Sequence, residues 1–151
     1  MIEQTSQDSL NHLGKISLLD KHQLLYIPMY LHSVAAGFPS PADDHIVEDI
    51  NLNKLLISHP TATFLLKAAG NSMVVFGINQ NDILVVDKSL TPKDGKIIVA
   101  AINGELIVRK LKITKDEVFL ISKHQSYPTI KVEEGVDNVI WGVVTNVIHK
   151  F

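Results

Sequence analysis

A chain of 151 residues with 46% hydrophobic content is long enough to close one core, or one core with a tail. Lysine and arginine total 14 against 16 acidic residues, so the formal charge is -2 with both signs interspersed, which excludes the basic footprint of direct nucleic-acid binding. The chain has no cysteine and its seven histidines never fall at i, i+4, which excludes a disulfide framework and a thiolate nucleophile and leaves no expected metal or other cofactor site.

Residues 1–42 read as an N-terminal arm. They are polar at first, then mildly apolar without a clear period ("ISLLDKHQLLYIPMYLHSVAA"), and the loop signal "GFPSPADD" follows. No apolar run approaches the roughly 18 residues of a membrane span, and no basic-then-apolar leader opens the chain, so the expectation is a cytoplasmic protein with no membrane partner. Residues 43–151 are expected to form the compact domain. In "NLNKLLISHP", Asn51 is placed to cap a short helix, Leu52, Leu55 and Leu56 share a face, and Pro60 forbids continuation.

After Pro60 the chain reads as strand. "ATFLLKAAG", "DILVVD", "GKIIVAAI", "ELIVRKLKI", "EVFLIS", "YPTIKV" and "VIWGVVTNVIHKF" are runs rich in β-branched residues separated by turn residues. Asn103-Gly104 is a two-residue hairpin signal, and Thr91-Pro92-Lys93-Asp94-Gly95 is a further turn. The predicted class is mainly β with one short helix. Asp82 and Asp87 flank "ILVV" and are read as turn-shaping, Met73 and Phe76 as core contacts, and Trp141 as a packed strand residue or one at an interface.

Ser72 in "AAGNSMVVFGI" follows a strand and a Gly-Asn turn, where a hydroxyl can be presented. The G-x-S-x-G elbow of α/β-hydrolases is not met, because Val74 holds the second glycine position and the strands do not alternate with helices. A serine nucleophile also needs a base. A lysine serves when apolar burial lowers its pKa, and "GELIVRKLKI" is apolar enough for that. That run carries Arg109, the only arginine of the chain, with Lys110 beside it.

The segments "GFPSP", "INLNKLLISHP", "GNSM", "GINQNDILVVDKS", "GKIIVAAINGE" and the V-basic-basic-L run at residues 108–111 resemble, in order and spacing, the LexA/UmuD-like family of self-cleaving serine peptidases. The short arm matches the UmuD-like branch better than the repressors, which need a DNA-binding domain ahead of the cleavage site. The resemblance implies a β-rich peptidase domain, Ser72 as nucleophile and Ala36-Gly37 as the bond cut. It further implies an SOS-response homodimer that meets the RecA filament and serves as accessory subunit to a Y-family (UmuC-like) translesion polymerase. A signal-peptidase-like processing enzyme shares the serine-lysine chemistry, but this chain shows none of the expected membrane anchor.

At one position the chain departs from that pattern. The family's base is the first basic residue of the run, and here it is Arg109. With a pKa above about 12, arginine is uncharged in at most about one molecule in 100,000 at neutral pH. Strand alternation puts Leu106, Val108 and Lys110 on one face and Glu105, Ile107 and Arg109 on the other, so Lys110 reaches Ser72 only through a bulge or register slip. Two expectations follow: a self-cleaving protein, or a full-length binding module of the same family that does not cut itself.

Overall fold

The computed structural model describes residues 25–30, 46–133, 135 and 139–151. Ala36 and Gly37, the bond expected to be cut, lie outside the described residues. The chain divides into two compact units, Met1–Leu55 and Leu56–Phe151.

In the first unit, β1 (Tyr26–Tyr30) pairs antiparallel with β2 (Ile46–Asn51), from Tyr26 opposite Asn51 to a register shift after Met29. Neither strand stands out in the sequence, and their pairing joins residues on both sides of position 42. The short helix α1 (Leu52–Leu56) starts where expected. Asn51 caps it, its side-chain oxygen accepting from the Asn53 and Lys54 amides at 2.9 and 3.3 Å.

The second unit is one seven-stranded antiparallel sheet. Its strands are β3 (Thr63–Lys67), β4 (Ile83–Asp87), β5 (Ile97–Ile102), β6 (Glu105–Ile113), β7 (Val118–Ile121), β8 (Ile130–Val132) and β9 (Ile140–Ile148), in the order β3-β4-β9-β5-β6-β7-β8. All seven come from the β-branched runs. The β5–β6 hairpin turns on Asn103 and Gly104, whose φ values of 51° and 80° are those of a type I′ turn, whose twist matches the flanking strands. Strand alternation then divides the core. Val99, with Ile97, joins Leu84, Val86, Met73 and Ile78 in one cluster, while Ile98 and Ala100 join Leu111, Leu120 and Val143 in another. Met73 is a core residue and Phe76 packs against the same cluster. Leu84, Ile98, Leu111 and Leu120 are fully buried, each contributing about 1.5–3 kcal/mol by leaving water.

Trp141 is a strand residue of β9, packed on one side and open on the other. It is 46% exposed, edge-on to Phe64, with the Lys88 ammonium 4.2 Å above its ring. Two residues of β4 leave no room for growth at its neighbour on β9, Gly142. A Cβ on Gly142 would stand 2.6 Å from Val86 Cγ1 and 3.2 Å from the Asp87 carbonyl. Since Val86 is buried and stiff at χ1, Gly142→Ala is expected to lower stability by about 1–3 kcal/mol, read as a lower urea midpoint at unchanged slope.

Candidate active site

Ser72 sits on the segment that crosses from β3 to β4. Gly70, at a φ of +75°, lets the chain leave β3 in a left-handed turn that a side chain would strain. Ser72 and Met73 then turn into a short 3-10 stretch, Val74–Phe76, closed by Phe76 and Gly77 amides donating to the Met73 and Val74 carbonyls at 2.9 Å each. Met73 goes into the core and anchors the segment. The hydroxyl of its neighbour lies in a cavity of about 230 Å3 whose lining includes Leu66, Gly70, Leu84, Val108, Arg109 and Tyr127.

Arg109 reaches that hydroxyl. Its Nη1 donates to Ser72 Oγ at 3.0 Å and to the Val108 carbonyl at 2.8 Å. On β6 it stands opposite Ile98, and the β5–β6 register runs without a shift from Ile97–Lys110 to Ile102–Glu105. Lys110 therefore points to the other face, with its ammonium 5.1 Å from the centre of the Phe76 ring. No bulge brings it round. Arg109 is 7% exposed, and burial pushes its pKa below the usual arginine range, opposed by the nearby Tyr127, whose ring centre is 5.4 Å from the guanidinium carbon. It remains a cation at neutral pH.

The geometry is that of a serine held by a donor. A base must accept the hydroxyl proton, whereas Nη1 carries its own hydrogens and occupies a lone pair of Oγ. Two further residues belong to the site and had no signal as site residues in the sequence. Ser122, fully buried just beyond β7, donates its hydroxyl to the Ser72 carbonyl. Tyr127 lines the cavity beside Arg109. Ser122 continues the alternation of Leu120, which places it inward, but only the sheet register brings it under Ser72.

Asp82 and Asp87 do more than shape turns. Each is 2% exposed and each meets a half-exposed histidine: His149 Nδ1 lies 2.5 Å from Asp82 and His59 Nδ1 lies 2.6 Å from Asp87. Neither pair is among the residues lining the Ser72 cavity. The Asn79 amide, then His149, hold the Asp82 carboxyl below its ordinary 3.8. The Ser89 hydroxyl, then His59, do the same for Asp87. A carboxyl depressed on folding stabilises above its unfolded pKa, and that contribution is lost as pH falls through the folded value. Urea midpoints are therefore expected to drop below about pH 4, and Asp82→Asn with Asp87→Asn to flatten that acid limb; an unchanged acid slope in the double variant would refute the assignment.

Among the described residues no group of three or more histidines and acids is arranged to hold a metal ion, and no helix is long and apolar enough to cross a membrane.

The Peptidase S24-like family pattern matches residues 28–145. The chain is 41% identical over 123 residues to Protein SamA of Salmonella typhimurium, covering 82% of this chain and 85% of that protein. It is 39% identical over 121 residues to Protein MucA of Escherichia coli, covering 80% and 82% respectively. Similarity extends to the LexA repressor of Pseudomonas chlororaphis at 36% over 118 residues, 78% of this chain and 58% of the repressor.

Proposed function

The chain belongs to the Peptidase S24-like family, and on that premise we propose that it is a UmuD-like SOS-response accessory protein that works full length because its peptidase site lacks a base. In this reading it is a homodimer that meets the RecA filament and regulates a Y-family translesion polymerase. The identities of 39–41% to Protein SamA and Protein MucA over most of both chains support the UmuD-like assignment.

The observation that carries the non-cleaving reading is the hydrogen bond from Arg109 Nη1 to Ser72 Oγ. In a cleaving relative, Ser72 would give its proton to a neutral lysine and attack the Ala36 carbonyl, and the peptide nitrogen of Gly37 would leave with a proton returned by the same amine. Arg109 can take no part in that exchange, and the Lys110 amine is turned toward Phe76. The arm therefore stays attached.

The test is a gel with N-terminal sequencing. The purified protein, incubated at pH 10 or with RecA, nucleotide and single-stranded DNA, is expected to remain full length. Appearance of a fragment beginning at Gly37 would overturn the reading.

A further inference from the structure

Among the described residues, the Ser72 cavity presents a cation without an anion. Arg109 is more than nine-tenths buried, yet no carboxylate among the described residues pairs with it. Its two hydrogen bonds both come from Nη1 and both end on neutral oxygens, Ser72 Oγ and the Val108 carbonyl. Its Nε is buried with no partner among the described residues. Buried charges in proteins are ordinarily paired, because desolvation is costly and an opposite charge in low dielectric offsets it. The usual fork-to-fork partner of a guanidinium is a carboxylate.

We propose that this cavity is a binding site for a monocarboxylate carried on a short aliphatic body. Three features of the lining define that ligand. The guanidinium offers one positive charge in a fork, and the hydroxyls of Ser72 and Tyr127 lie in the same wall as additional donors. Most of the remaining wall is aliphatic, with Leu66, Leu84 and Val108 prominent, so it favours an apolar body; the other cation of the lining, Lys67, is exposed, and a second charge on the ligand would gain little from an ammonium that is already in water. The volume of about 230 Å3 suits a group the size of one aliphatic residue. Free aliphatic acids and the C-terminal residue of a peptide present the same chemistry. The inference rests on the non-cleaving reading only in that it gives the site a use when Ser72 is not a nucleophile.

Because Arg109 is the only arginine, its Nε–H gives a single arginine side-chain resonance in the 15N-labelled full-length protein. At constant ionic strength, isovalerate and N-acetyl-leucine are expected to move that resonance saturably, with isovalerate about tenfold or more tighter than acetate. Isovaleramide, the uncharged isostere, is expected to leave it in place. Saturation by N-acetyl-leucine alone assigns the peptide terminus as the source, and saturation by isovalerate alone assigns the free acid. A thermal shift seen with the parent is expected to vanish in Arg109→Met. Carboxylates that act no more strongly than equal chloride overturn the proposal. The intact mass of the parent is read before and after each titration, so that binding is scored on uncleaved protein and stands or falls apart from the cleavage result.

Discussion

Arg109→Lys is expected to convert an uncleaved protein into one that releases a fragment beginning at Gly37. The substitution keeps position 109 opposite Ile98 on the inward face of β6, and it exchanges a donor fixed on Ser72 Oγ for an amine one bond shorter. The burial that pushes the Arg109 pKa down would also disfavour an ammonium at this place, whose charge is more compact and more strongly hydrated. Lysine titrates well below arginine to begin with, so the same environment populates the neutral amine far more than a neutral guanidine. The rate is expected to rise with pH through the lysine pKa and then level. Arg109→Ala, with neither donor nor base, is expected to stay intact, as is Ser72→Ala in the lysine background. A folded Arg109→Lys variant that leaves the arm attached under RecA activation would refute the serine-position-109 pairing as the catalytic geometry.

The base position at 109 was legible only through the resemblance to the LexA/UmuD-like family, while the unique arginine drew notice to it and strand alternation separates it from Lys110. All seven strands of the large sheet were also legible, because β-branched runs between turn residues are a local signal, and Asn103-Gly104 fixes one hairpin by itself. What escaped depends on register between distant segments. The His59–Asp87 and His149–Asp82 contacts span 28 and 67 residues, and nothing in either neighbourhood identifies the partner. Ser122 reads as the polar end of an apolar strand until β7 is paired with β6 and the Ser72 turn is laid over it. The β1–β2 pairing was hidden for another reason: Pro28 sits within β1, and a proline in a short apolar run argues against a strand unless it lies at an edge. Trp141 was legible as a strand residue, but its partial exposure was not, since a large ring can be covered by a lysine stem and ammonium while one face stays wet.

The two hydroxyl contacts at Ser72 divide the work of the site. Arg109 acts on the side-chain oxygen and decides whether the serine can react, whereas Ser122 acts on the backbone carbonyl and decides where the serine is. Both lie at the β6–β7 pair: Arg109 and Ser122 are the residues next to the Lys110–Ile121 pairing, Arg109 on β6 and Ser122 one residue beyond β7. The nucleophile segment is therefore tied twice to one rigid ladder, and its chemistry can be changed at position 109 without releasing its position.

Ser122→Ala is expected to separate these roles. Loss of a fully buried hydroxyl leaves the Ser72 carbonyl without its donor and the His124 amide without the acceptor it has at 3.3 Å, which costs about 1–3 kcal/mol in a urea titration. In the Arg109→Lys background the larger effect falls on cleavage. A displacement of Ser72 Oγ by about 1 Å lowers the rate up to about 100-fold, even where the protein remains folded, because attack requires Oγ, the amine and the scissile carbonyl to be aligned together. The pH at which cleavage levels off is expected to stay where Arg109→Lys alone puts it, since the lysine surroundings are unchanged. Ser126→Ala, at an exposed position, supplies the comparison and is expected to alter neither quantity. Cleavage in Arg109→Lys/Ser122→Ala at the Arg109→Lys rate would mean that Met73 and the 3-10 turn hold the nucleophile unaided, and Ser122 would then be a stability residue with no positioning role.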